Sequence, residues 1–226
     1  MDNEKEIIAS WQVNAGNWID VLERKGIESR QVATNRAIVE EICLFNPKTV
    51  LDIGCGEGWL AGELTNHGIR ITAIDVVPEL VERAKSKIEG TFIVSSYEDL
   101  ASGRTVLNDK FDAIVINFAL IGKESTDQLL AALPRYLNHN GALFIQTLHP
   151  HVKKGVNDYI TGWKTGSWDG LGGEFTQPYQ WFFRTLEDWL DLLRSSGFER
   201  IVFRELLHPK TRQLLSVIFK CRTRIV

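Results

Sequence analysis

Three glycines alternate with other residues in Val50-Leu51-Asp52-Ile53-Gly54-Cys55-Gly56-Glu57-Gly58-Trp59-Leu60. An apolar run leads into them and a helix-like segment follows. Glycine lets a backbone approach a ligand closely, and a helix start offers unpaired N–H groups. Asp75 closes the next apolar run, in Ile74-Asp75-Val76. A carboxylate at that place can accept hydrogen bonds from both hydroxyls of a ribose. A dinucleotide fingerprint would read G-x-G-x-x-G/A, and the third small position is here Trp59. Its indole would crowd helix against strand and obstruct a pyrophosphate. The pattern therefore favours a nucleoside over a dinucleotide. Simpler roles stay open: Asp52 as a cap of the turn, Asp75 as a cap of the helix that Pro78 begins, and Cys55 as a small residue rather than a nucleophile.

Two histidines, His149 and His151, lie just past the fifth apolar run. An imidazole pKa near 6.5 suits proton acceptance at neutral pH. Loop structure or a contact to substrate is the alternative. Downstream come Tyr159, Trp163, Trp168, Phe175, Tyr179, Trp181, Phe182 and Arg184. Clustered rings can cap a flat, apolar acceptor, or they can form a small core that pins the segment. Arg184 can pair with an acceptor carboxylate or with Glu187. Upstream, Trp11, Trp18 and Arg30 precede the first apolar run.

These residues must be held by an alternation of strands and helices. Apolar runs at Thr49–Ile53, Ile69–Ile74, Thr91–Val94, Phe111–Ile116, Ala142–Thr147 and Phe198–Phe203 read as strands buried on both faces. Helices are expected near 57–66, 78–89, 126–137 and 185–196. Gly68, Gly90, Gly141 and Gly197 stand between helix and next strand, where a left-handed cap favours glycine. Pro78 suits a first helical turn, Ser125 or Thr126 can cap the third of these helices, and Thr185 the last. The alternation predicts an α/β fold, a doubly wound and mostly parallel sheet of seven strands. Phe198–Leu207 and Gln213–Arg222 are too close in sequence for a crossover, so they predict an antiparallel hairpin closing that sheet. Residues 1–48, with Thr34, Ile38, Ile42 and Phe45 on one helical face, form a separate helical segment. Residues 49–226 form the main domain. Residues 150–184 form a long aromatic-rich insertion, a length typical of a binding segment.

Composition narrows the function. The chain has 226 residues, with 26 Lys plus Arg against 29 Asp plus Glu, a net charge of −3. That balance argues against a dedicated nucleic-acid partner. Cys43, Cys55 and Cys221 are scattered, which suits reduced thiols rather than a disulfide framework or a zinc site, and no metal is expected. No signal peptide and no membrane span are visible, so a cytoplasmic location is expected. Oligomeric state stays open.

The run Leu51-Asp52-Ile53-Gly54-Cys55-Gly56-Glu57-Gly58 resembles the first motif of the class I S-adenosylmethionine-dependent methyltransferases. Asp75, Ser96-Tyr97, Asn117-Phe118 and the final hairpin fall where that family's later motifs fall. The resemblance spans about residues 30–222 and is nearest the small-molecule, quinone-biosynthesis-like branch. It implies a Rossmann-like methyltransferase fold and S-adenosyl-L-methionine as cofactor. It implies that Gly54, Cys55 and Gly56 pass beneath the methionyl part and that Asp52 receives the amine. Asp75 with Val76 would hold the ribose. Ser96 and Tyr97 would line the adenine, although many relatives carry an Asp and a small residue there, and Glu98 can take part. Asn117 and Phe118 would direct backbone carbonyls at the amine, and Arg30 would meet the carboxylate. Residues 1–48 would fold over the cofactor as a lid. The acceptor would be a small molecule, aromatic or quinone-like, bound by Trp11, Trp18, Trp163, Trp168, Trp181, Phe182 and Arg184, with His149 or His151 as base where a proton must leave. Two other readings compete: an NAD(P)-dependent oxidoreductase, and a binder of the same cofactor without turnover. Asn117 is followed by Phe118-Ala119-Leu120, not by the Pro-Pro-Tyr that amino-directed nucleic-acid methyltransferases use.

Overall fold

A computed structural model describes residues 2–107, 109–152, 159–166, 168 and 171–223. Residues 153–158, 167 and 169–170 of the expected insertion lie outside the described residues. The strands are β1 (Thr49–Ile53), β2 (Arg70–Asp75), β3 (Thr91–Val94), β4 (Phe111–Asn117), β5 (Leu137–Leu148), β6 (Gly162–Thr165), β7 (Gln180–Phe183), β8 (Phe198–Leu207) and β9 (Leu214–Thr223). Seven of them form one sheet in the order β3-β2-β1-β4-β5-β9-β8. The first five pair in parallel, and β9 runs antiparallel to both β5 and β8. The expected doubly wound sheet with its closing hairpin is thus present. Strand order reverses between β1 and β4, and at such a switch point the strand ends leave a crevice for a ligand.

Alternate residues of each central strand feed two cores. Leu51, Ile53, Ile114, Ile116, Leu143 and Ile145 pack beneath α6 (Tyr97–Ser102), α7 (Glu124–Ala132) and α8 (Leu186–Ser195). Val50, Ala113, Val115, Ala142 and Phe144 pack beneath α3 (Asn35–Phe45), α4 (Trp59–Asn66) and α5 (Pro78–Lys85). Both faces are covered, which explains why these strands read as unbroken apolar runs. Each fully buried Leu or Ile contributes about 1.5–3 kcal/mol. The exception is β8, an edge strand whose residues 202–205 are exposed.

Some local expectations change. The segment 126–137 is not one helix: α7 ends at Ala132, a 3₁₀ turn covers Leu133–Tyr136, and β5 already begins at Leu137. Gly141 therefore lies inside a strand and is absent from the positive-φ glycines, unlike Gly68, Gly90 and Gly197. A side chain there would come within 3.0 Å of Phe111 O and Asn138 O, so close backbone approach explains the glycine. Thr185 caps α8 by accepting from the Asp188 amide. Neither Ser125 nor Thr126 caps α7. Its N-terminus receives the Glu4 carboxylate instead, which accepts from the Lys123 amide at 2.7 Å, the Glu124 amide at 3.0 Å and the Ser125 hydroxyl at 2.6 Å. A carboxylate is favoured there by the helix dipole.

That contact belongs to a wider seam. The N-terminal segment consists of α1 (Asn3–Val13), α2 (Ala15–Glu23), a π-helical turn at Arg30–Thr34 and then α3. Asn14 exchanges hydrogen bonds with the backbone of Thr176, Asn17 donates to Glu174 O, and Trp168 Nε1 donates to Ser10 Oγ. Trp11, Trp18, Trp163, Trp168, Phe175, Tyr179 and Trp181 share one aromatic cluster with Ile7. The insertion also carries a β6–β7 hairpin that the sequence did not announce. Among the described residues no helix is long and apolar enough to cross a membrane.

Candidate functional site

The glycine turn hangs from the end of β2. The amides of Gly54 and Cys55 both donate to Ile74 O, at 2.8 and 3.0 Å. Gly54, Gly56 and Gly58 take φ of +71°, +57° and +88°, a region other residues enter only with strain. A Cβ on Gly54 would lie 2.5 Å from Ala119 Cβ and 2.7 Å from Tyr97 Oη. One on Gly58 would lie 2.6 Å from Ile88 Cδ1. Beside Gly56 the nearest heavy atom would be Trp18 Nε1, 3.9 Å away. Packing thus demands Gly54 and Gly58, while Gly56 leaves a backbone cradle with room above it. Trp59 opens α4 and packs beneath Arg30, whose guanidinium lies 4.8 Å from the ring centroid. Cys55 is buried, and burial pushes its thiol well up, which disfavours the thiolate.

Acidic groups gather at this turn. Asp75 accepts from the Gly56 amide at 2.8 Å and from the Val77 amide at 2.9 Å. It therefore ties the turn to the start of α5, while Val77, not Asp75, is the capping residue that precedes Pro78. Burial pushes its carboxyl up, against those amide donors. Val76 follows it, half-buried. Asp52 is enclosed, and its Oδ2 has no hydrogen-bond partner. Burial first, then the charges of Asp75 and Glu57, push its carboxyl up to about 8. The turn-capping role for Asp52 finds no such bond here. Glu57, which sequence reasoning passed over, is raised by burial and steadied by its own backbone, by Arg30 and by the Trp18 indole. Arg30 also donates to Asn35 Oδ1 at 3.2 Å and lies 5.9 Å from the Trp18 ring.

The other side of the crevice is built by β3 and β4. Ser96 caps α6 by accepting from the Asp99 amide at 3.0 Å. Tyr97 donates its hydroxyl to Ala119 O at 3.0 Å and so stands against Gly54. Asn117 ends β4 with its Oδ1 buried and unpartnered. Phe118 follows at φ +54°, held there by its amide bond to Gln146 O at 2.7 Å. Such a conformation costs about 1–3 kcal/mol and concentrates at functional sites.

The histidines and Arg184 lie differently from expectation. His149 is buried; its Nδ1 accepts the His151 amide at 3.1 Å, and its Nε2 meets Glu205 Oε1 at 2.8 Å. An accepting Nδ1 puts the proton on Nε2, facing Glu205. Both ring nitrogens are thereby engaged. His151 is exposed and stacks on Tyr159, with ring centroids 4.3 Å apart. Arg184 is buried and pairs with Asp127 at 2.7 Å, not with Glu187, which receives the Tyr159 hydroxyl. The Arg184 guanidinium also donates to Gly122 O and Lys123 O and lies between the rings of Phe182 and Trp189. The structure brings Asp52, Gly54, Cys55, Gly56, Asp75, Tyr97, Asn117 and Phe118 together around one crevice. Trp18 reaches the Gly56 turn and stacks edge to face on Trp11, which stacks in turn on Trp168, and Trp163 meets Phe182 at 5.3 Å.

Comparison with known proteins agrees with this geometry. Residues 50–141 match the methyltransferase-domain family. A ubiquinone biosynthesis O-methyltransferase of Xanthomonas oryzae pv. oryzae is 36% identical over 105 residues, covering 44% of this chain and 43% of that protein. The chain thus spans less than half the length of such curated relatives. A 1,6-didemethyltoxoflavin-N1-methyltransferase of Burkholderia thailandensis superposes with a TM-score of 0.68 at 18% identity, covering 97% of this chain and 88% of the other. An S-adenosylmethionine-dependent methyltransferase of Clostridium acetobutylicum gives 0.64 at 14% identity, covering 92% and 97%. Residues 50–141 thus match a methyltransferase domain, and the chain shares its fold with S-adenosylmethionine-dependent methyltransferases.

Proposed function

We propose that the protein transfers the sulfonium methyl of S-adenosylmethionine to a small-molecule acceptor. One observation carries this reading: a glycine cradle at the switch point lies between a tethered carboxylate, Asp75, and a buried, unpartnered one, Asp52. Those residues fit the cofactor. Asp75 keeps lone pairs for two ribose hydroxyls, and Asp52 Oδ2 awaits a donor that an ammonium supplies. Arg30 is placed to meet a carboxylate, Ser96 and Tyr97 line the adenine side, and Asn117 and Phe118 flank the amine. When bound, the cofactor supplies an activated methyl. The chain's work is then to align an acceptor and exclude water, which can be worth up to about 7–11 kcal/mol.

The aromatic cluster that reaches the Gly56 turn through Trp18 supports a flat acceptor, aromatic or quinone-like. The names of the ubiquinone and toxoflavin relatives point the same way. Trp11, Trp18, Trp163, Trp181 and Phe182 are the contacts we assign to it. Trp168 is buried within the cluster and supports the others. Arg184, already paired, fixes the insertion rather than an acceptor carboxylate. Of the two histidines, we assign the base to His151, the exposed one, while His149 orients the chain that carries it. The lid is the N-terminal segment together with the insertion, since hydrogen bonds sew one to the other.

A thermal-shift titration tests the reading. S-adenosylhomocysteine should raise the melting temperature and NAD should not. Stabilisation by NAD alone would return the oxidoreductase reading. Turnover with labelled cofactor then separates an enzyme from a binder.

A further inference from the structure

Six buried side-chain polar atoms among the described residues lack a hydrogen-bond partner, and four of them share one layer. They are Asp52 Oδ2, Asn117 Oδ1, Gln146 Oε1 and Thr34 Oγ1. Asp52, Asn117 and Gln146 stand at the ends of the adjacent strands β1, β4 and β5. All three extend the alternation that buries Val50, Val115 and Phe144 on the α3 face. Asn117 and Gln146 are register partners. Thr34, from the π-helical turn, lies over Gln146, whose Nε2 donates to Thr34 O at 3.3 Å and to Ser216 Oγ at 3.0 Å. A carbonyl can only accept, so the amide of Gln146 is turned one way and Oε1 is its free end. The Thr34 hydroxyl makes none of the backbone bonds a helical threonine usually makes to the preceding turn.

Each such orphan costs about 1–3 kcal/mol, and native proteins keep few of them without a ligand or water to meet them. Two of the four, Asn117 Oδ1 and Gln146 Oε1, are amide oxygens that only accept. The layer therefore calls for a row of N–H or O–H donors and repels an anion. Two strand spacings separate Asp52 from Gln146, about 10 Å. That length exceeds one amine, so an amine at Asp52 leaves Gln146 Oε1 and Thr34 Oγ1 without a partner.

We propose that Gln146 and Thr34 form an acceptor subsite that receives an N–H or O–H donor carried by a flat, uncharged or cationic ring. The inference rests on the methyltransferase reading, in which the Asp52 end takes the cofactor's amine. It names the acceptor class: a ring with a polar hydrogen, not a carboxylate or phosphate. Arg184, buried against Asp127, offers no compensating cation in that space.

The test titrates three probes into protein saturated with S-adenosylhomocysteine: indole, benzofuran and indole-2-carboxylate. Indole carries the N–H, benzofuran keeps its shape without a donor, and the third adds an anion. Indole should bind roughly tenfold more tightly than benzofuran, a difference of about 1.4 kcal/mol, and more tightly than the carboxylate. Thr34→Val removes a hydroxyl that no protein group uses, so the melting temperature should hold or rise. The same variant should compress the preference for indole to less than about threefold, as expected for loss of one hydrogen bond. Equal binding of indole and benzofuran, preference for the carboxylate, or an unchanged preference in Thr34→Val overturns the subsite. If S-adenosylhomocysteine itself does not bind, the methyltransferase reading falls and the subsite with it. If it binds and the probes do not discriminate, the subsite alone falls.

Discussion

The carboxylate of Asp75 holds the amide of Gly56 at 2.8 Å, so the residue we assign to the ribose also holds the loop that would cradle the cofactor. Asp75→Ala removes both functions and leaves the Gly56 and Val77 amides without their acceptor. We expect S-adenosylhomocysteine affinity to fall at least about tenfold, and stability by about 1–3 kcal/mol, the cost of stranded amides. Calorimetry and urea unfolding read the two effects. Retained affinity in a folded variant would remove Asp75 from the ribose site.

Asp52 makes stability depend on pH. Its carboxyl sits at about 8 in the folded chain, against about 3.9 when unfolded. Between those values the folded state binds the extra proton. The contribution is therefore full below about pH 4 and disappears as pH rises through about 8. Asp52→Asn should flatten that decline. Urea midpoints for both proteins at pH 5.5 and 8.5 check it, and parallel profiles would show that burial does not perturb this carboxyl.

Glu4 joins the N-terminal segment to α7 through three hydrogen bonds. Glu4→Ala should cost about 0.5–2 kcal/mol, the range for loss of a helix cap. Amide exchange in α1 and at the start of α7 should accelerate together. Acceleration in only one of them would show that the contact does not couple the two.

His149 and His151 divide the roles a histidine can play. His149→Ala should lower stability and turnover yet leave the shape of the kcat–pH profile intact, because its proton faces Glu205. His151→Ala should lower kcat at least about tenfold while the melting temperature holds. A profile that changes shape in His149→Ala would reverse the assignment.

Deleting residues 2–30 should weaken S-adenosylhomocysteine binding severely, since it removes Trp11, Trp18, Arg30 and the seam to Thr176. Calorimetry showing unchanged affinity would remove the lid from the reading.

The order of strands and helices was legible because local patterns carry it. Thr49–Ile53 and Thr91–Val94 were bounded to the residue, and Thr185 and Pro78 acted as their types imply. The glycine turn and Asp75 were legible for the same reason: φ above zero and a strand-end carboxylate are local requirements. Gly141 misled because a close backbone approach and a helix cap both select glycine. Gln146 stood in plain view as a polar residue within the apolar run Ala142–Thr147, but its orphaned oxygen is a fact of packing.

What the sequence by itself determined is the scaffold and the place of the crevice, since periodicity and turn chemistry act over a few neighbouring residues. Only the tertiary structure decided which charges are spent and which stay open. Arg184 could have met an acceptor, Glu187 or Asp127, and burial beside Asp127 chose the last. His149 became a strap rather than an exposed base because Glu205, on the far edge strand, folds back onto it. Such choices depend on partners distant in sequence, and desolvation leaves each buried group only the partner that the fold brings within reach.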